Sequence, residues 1–103
     1  MSELPTREDF LDHLNTKFRV YFDAECATEV ELTEVSELRQ KPRYEAFSVS
    51  FVAPNDVPPL QGVYKTEHDS LCTMELLLIP YEQSEKGLSF EATFNYKINP
   101  ADG

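Results

Sequence analysis

Leu88, Phe90, Ala92, Phe94, Tyr96 and Ile98 occupy one side of an unbroken alternation, and Ser89, Glu91, Thr93, Asn95 and Lys97 the other. Period two over such a stretch is the pattern of a half-buried β-strand. Ahead of it lie residues 60–68, a strand opened by Gly62, then a turn at Asp69-Ser70, then residues 71–80, the most apolar segment of the chain. Within that segment Met74, Leu76 and Leu78 share one face, while Leu77 and Ile79 share the other. An antiparallel strand that is apolar on both faces needs cover on both.

The earlier chain obeys the same logic. Residues 17–23 alternate Phe18, Val20 and Phe22 against polar neighbours, and residues 44–53 place Phe47, Val49 and Phe51 inward with Ser48 and Ser50 outward. Between them, residues 28–38 change phase: Val30 and Leu32 fall in one register, Val35 and Leu38 in another. Such a slip predicts a β-bulge or a bend where a barrel closes. Thr6 is placed to cap a helix, with acidic residues in its first turn and Phe10, Leu11 and Leu14 along one side. A helix this short needs a docking partner, for which the sheet is the expected host; the outer pair Leu77 and Ile79 is open either to this helix or to a partner protein as its cover. The pattern therefore predicts a mainly β fold: a single small antiparallel meander of about six strands, closed or strongly coiled into a barrel, with a short N-terminal α-helix. Residues 1–98 form one domain and residues 99–103 a disordered tail.

Composition narrows the function classes. Acidic residues outnumber basic ones 19 to 9, for a formal charge of −10. That balance argues against nucleic acid, whose phosphates require lysine and arginine, and against an anionic membrane surface. It favours solubility or a basic protein partner. No apolar run approaches the roughly 18–20 residues of a membrane span, and the N-terminus lacks an apolar signal segment, so a cytoplasmic location is expected.

Candidate chemistry is sparse. His68, Asp69 and Cys72 cluster around one turn, yet a His-x-x-x-Cys pair lacks the further ligands that define a zinc site. Cys26 and Cys72 fall at opposite ends of a meander, which forbids a disulfide. Glu29 and Glu31 point outward by phase, where carboxylates are simply solvated, and His13 lies beside the helical apolar stripe. With three glycines in the chain, no phosphate-cradling loop is apparent. No catalytic, cofactor or metal-binding residue is assigned, and no enzymatic activity is expected.

The segment Phe47-Ser48-Val49-Ser50-Phe51, then Pro54, then Leu60-Gln61-Gly62-Val63-Tyr64 leading to His68, resembles an uncharacterised family of small bacterial proteins, a domain of unknown function. Similar in the same way are the apolar strand ending at Pro80 and the closing segment Phe90-Glu91-Ala92-Thr93-Phe94-Asn95. Members usually carry glycine where Cys72 stands. The resemblance implies an accessory or assembly role beside phage-tail-like or tail-collar genes. It supplies no catalytic residues.

The expected function is a non-enzymatic protein-interaction or assembly module. Its candidate surface is Leu77 and Ile79 together with the proline loop of Pro54, Val57, Pro58 and Pro59. The partner is an unidentified protein or a second copy of the chain. The alternative is a small-molecule-binding barrel lined by the inward phenylalanines.

Overall fold

A computed structural model of the chain describes residues 6–23, 25–71 and 73–97. Cys72, Ile98 and the expected tail lie outside the described residues. One helix, α1 (Arg7–Asp12), precedes seven strands: β1 (Lys17–Asp23), β2 (Cys26–Val35), β3 (Arg39–Gln40), β4 (Tyr44–Ala53), β5 (Gly62–Glu67), β6 (Met74–Ser84) and β7 (Gly87–Lys97). All pairings are antiparallel, and a β2–β4 contact closes six of the strands into a barrel. The short β3 extends the β2 side of β4 beyond the barrel.

Around the barrel the order is β1-β2-β4-β7-β6-β5, returning to β1. Chain order is kept within two three-stranded meanders, β1-β2-β4 and β5-β6-β7, and is broken at the junction between them. The connection over residues 54–61 holds Pro54, Pro58 and Pro59, which suit a rigid crossing better than a tight hairpin. It carries the chain across one barrel end to the free side of β1. This leaves β7 to pair with β4 along the whole of Tyr44–Ala53, setting Phe47 opposite Phe94 and Phe51 opposite Phe90. Cross-strand aromatic pairs of this kind are a stabilising unit of sheets. The Phe47 and Phe94 rings stack with centroids 5.0 Å apart.

The expected phase slip in β2 is a bulge. Its register against β4 shifts between Leu32 and Glu34, which lets Val30 and Leu32 be fully buried while Val35 packs at the core margin. The interior is filled rather than hollow. Phe18, Phe47, Phe51, Phe90, Leu32, Leu78, Val20, Val30 and Val49 are all buried within it.

Each barrel end is closed by an apolar side chain from outside the sheet. At one end α1 inserts Phe10, whose ring meets Phe18, Phe47 and Phe94 at centroid distances of 6.2, 6.0 and 5.1 Å. At the other end the proline loop inserts Val57. The helix is capped as expected by Thr6, with a full capping box: Asp9 N–H donates to Thr6 Oγ1, and Thr6 N–H donates to the Asp9 carboxylate. Its seat, however, is the barrel end and not the outer face of β6. Leu77 and Ile79 are left exposed. The reason is Phe10: an end of the barrel ringed by aromatic side chains offers it complete burial, which a sheet face does not.

Candidate functional site

The outward face of β5 and β6 carries a strip of exposed aliphatic side chains. Val63 and Leu77 are direct cross-strand neighbours, 64% and 48% exposed, and Ile79 continues the strip along β6. They are exposed because β6 alternates: Met74, Leu76 and Leu78 take the core, so the odd-numbered side chains must face out. Tyr81 continues this outward series at the bulge between Pro80 and Glu82, and its hydroxyl donates to Ser50 Oγ across β7. Pro59 lines one groove with Pro80 and Tyr81, so the proline loop and the end of β6 form a continuous surface.

Carboxylates border this strip. Glu75 stands opposite Lys65, Glu91 opposite Ile79, and Glu82 comes directly after Tyr81. Among the described residues none of these three makes an ion pair. Every ion pair there lies instead on the adjoining β1–β5 seam: Arg19 with Asp69 at 3.0 Å, Arg19 with Glu67 at 3.5 Å, and Lys65 with Glu67 at 3.7 Å. Tyr21 adds a hydroxyl donation to Glu67 and carries Lys65 Nζ 5.0 Å from its ring centroid. The hydrogen bond to Asp69 is the main reason that the Arg19 guanidinium holds its proton more tightly than usual.

A second cluster lies where α1 meets the β5–β6 turn. The two histidines of the chain, fifty-five positions apart, bring their rings to 4.7 Å in an edge-on contact. Their hydrogen bonds define both tautomers. His68 Nδ1 accepts from Ser70 N–H, so its proton is on Nε2, which donates to Thr16 Oγ1 at 3.0 Å. Thr16 in turn donates to the His13 carbonyl, and His13 Nδ1–H donates to the carbonyl of Asp9. Burial is the chief cause that pushes the His68 pKa below its ordinary value; the neighbouring His13 adds to it, Asp69 opposes it, and Arg19 lowers it further.

Against known protein families, a model described as a domain of unknown function, DUF6916, matches residues 5–94. The chain belongs to this family. No curated protein and no solved structure matches it.

The DUF6916 domain gathers some of the residues singled out from the sequence and separates others. Leu77, Ile79, Pro58 and Pro59 are exposed, as is Pro54, but Val57 is 7% exposed and belongs to the core. It is the one buried residue of the connection over residues 54–61, which covers an open barrel end. Val63, Leu60 and Tyr81 belong to the surface as well, and the sequence pattern did not single them out: Val63 is placed by its pairing with Leu77, and Tyr81 lies beyond the expected end of the strand at residue 80. On the turn, Ser70 N–H donates to His68 Nδ1, and Asp69 accepts from Arg19. Cys26 is a free, exposed thiol. Among the described residues no group of three or more His, Cys, Asp or Glu side chains is placed to hold a metal ion, and no helix is long and apolar enough to cross a membrane.

Proposed function

We propose that this domain is a non-enzymatic docking module, and that its working surface is the outer face of β5 and β6 with the neighbouring end of the proline loop. The observation that carries the reading is the exposed strip Val63, Leu77, Ile79 and Tyr81 bordered by Glu75, Glu82 and Glu91, which make no ion pair among the described residues. A contiguous apolar patch rimmed by polar groups is the mark of an interaction surface. Its acidic border selects the occupant: a protein presenting an apolar ridge flanked by lysine or arginine. A second copy of this chain is the poorer occupant, since it would set like-charged borders against each other. An accessory role in a tail-like assembly is the setting that the family resemblance implies, and a strip of this kind suits it.

Two features favour this reading over its rivals. His68 uses both ring nitrogens in structural hydrogen bonds, which leaves none to act as a base. A small-molecule barrel would require the interior phenylalanines to part, and they are in mutual contact, Phe18 with Phe51 at 5.1 Å among them.

The test uses an amphipathic peptide with leucines on one side and lysines on the other, titrated into the labelled domain by NMR. Shifts confined to Val63, Leu77, Ile79, Tyr81 and the Pro59 neighbourhood are expected, lost in a folded Val63→Glu/Leu77→Glu variant and weakened by salt. Shifts spread over the whole surface, or unchanged in that variant, would sink the assignment.

A further inference from the structure

Helix α1 spans Arg7–Asp12, too short to persist without its tertiary contacts. The segment from Asn15 to Thr16, between the helix and β1, is tied down at several points. Asn15 N–H donates to the Leu32 carbonyl, Leu32 N–H donates to the Thr16 carbonyl, and Thr16 Oγ1 meets His68. The last of these joins the N-terminal segment to the β5–β6 turn on the far side of β1.

We propose that His13, Thr16 and His68 form a proton-sensitive latch that keeps α1 seated in the barrel end, and that protonation of His68 releases it. The polarity of the network gives the mechanism. His68 Nδ1 is an acceptor, 3.0 Å from Ser70 N–H. A proton added there turns the acceptor into a donor facing a donor; Nε2–H still donates to Thr16, so release comes from the turn, which lets go of the ring and no longer holds it against Thr16. The new charge would also stand beside the His13 ring and in a partly buried position against Phe18, whose ring centroid is 4.3 Å away.

The charges around His68 give little relief. On β1, Arg19 repels an imidazolium. On the turn, Asp69 attracts it but is already engaged by Arg19 at 3.0 Å, and Glu67 on β5 is shared between Arg19 and Lys65. On α1, the Asp9 carboxylate is held by the Thr6 N–H, and Asp12 is exposed. The pair is not a metal site either, because both nitrogens of His68 are occupied.

These contacts fix the direction of the pH dependence. His68 binds its proton less tightly when latched than the reference value of 6.5, chiefly through burial, whereas the released ring reverts toward that value. The released state therefore takes up the proton first. Latch stability is complete above about pH 6.5 and falls as the pH drops below it. Release would open the aromatic cluster of Phe10, Phe47 and Phe94 to solvent as a local unfolding event.

Amide hydrogen exchange by NMR, corrected for the intrinsic pH dependence of exchange, reads this directly. Between about pH 7.5 and 5 the protection of Phe10, His13, Asn15 and Ser70 amides should fall about tenfold for each unit separating the two His68 pKa values, while Val49 in β4 stays protected. In His68→Asn the side-chain carbonyl can still accept from Ser70 N–H but cannot titrate, so the fall should vanish. Unchanged protection in the wild type, or the same fall in His68→Asn, would overturn the latch. Should that variant not fold, the wild type decides alone: the His68 ring and the Phe10 and Asn15 amides must share one midpoint, and separate midpoints refute the proposal.

Discussion

A methyl group added at Gly87 would fall 2.3 Å from the Ala53 carbonyl oxygen and 2.8 Å from a Val52 methyl. The residue also has φ of +145°, a conformation that L side chains rarely adopt. Neither obstacle is the far end of a flexible chain, so Gly87→Ala should cost about 1–3 kcal/mol from backbone strain, with the steric clash in addition. Urea denaturation beside Lys86→Ala, expected within about 0.5 kcal/mol of wild type, checks this. Gly62 is constrained more gently. Its absent Cβ leaves room for the Tyr64 ring, 3.2 Å from where that carbon would be, and Tyr64 donates its hydroxyl to the Leu60 carbonyl. Among the described residues Asn15 is the other one with positive φ, +68°, where the chain leaves the helix for β1. Asparagine tolerates that region better than most residues.

Helix α1 exists because of one side chain. Its capping box is worth about 0.5–2 kcal/mol, to be seen as the loss in Thr6→Ala. Phe10 matters more, since it is wholly buried among three other aromatic rings. Phe10→Ala should lose about 3–5 kcal/mol, against a total of about 5–15 for a domain of ordinary stability. Chemical denaturation gives the number, and the exchange of helix amides says whether α1 detaches first. A loss under about 1 kcal/mol would mean that the helix is not seated on the core. Strand β6 shows the complementary case. Leu76 and Leu78 are held by the interior, whereas Leu77 faces solvent, so Leu77→Glu should leave stability within about 0.5 kcal/mol.

Across the whole molecule the barrel is not equally tight. β4 and β7 pair along their full length, but β1 and β5 meet only through Arg19, Val20 and Tyr21 against Glu67, Thr66 and Lys65. This short seam holds all the ion pairs of the described residues, linking Arg19, Lys65, Glu67 and Asp69 on its outer side. Because Arg19 and Glu67 are 37% and 23% exposed and so still reached by solvent, a double-mutant cycle on Arg19→Ala and Glu67→Ala should yield a coupling of only about 0.2–1 kcal/mol. That coupling should shrink as salt rises from about 0.05 to 0.5 M. A coupling independent of salt would place the pair in a drier setting than its exposure shows. In a chain of net charge −10, two of the nine cations, Arg19 and Lys65, sit at this seam, and Lys65 also stands opposite Glu75 at the edge of the β5–β6 strip.

The strands were legible in the chain itself, because a half-buried strand writes its two faces into alternating residues: β1 and β4 begin and end where the alternation does, and the phase change in β2 is its bulge. The helix cap was equally local, a matter of Thr6 and the three residues after it. The outward phase of Leu77 and Ile79 could be read too, and with it half of the candidate surface. Tertiary structure decided what depends on residues far apart in the chain. Alternation says which face of a strand is apolar but not which strand lies beside it, so the β4–β7 pairing and the crossing to β1 came from closing a barrel around facing phenylalanines. The same holds for Phe10 choosing the barrel end over the face of β6, and for Val57 turning inward from a proline loop. It holds most of all for His13 and His68, which no spacing connects. Only the closure of β1 against β5 sets Thr16 between them.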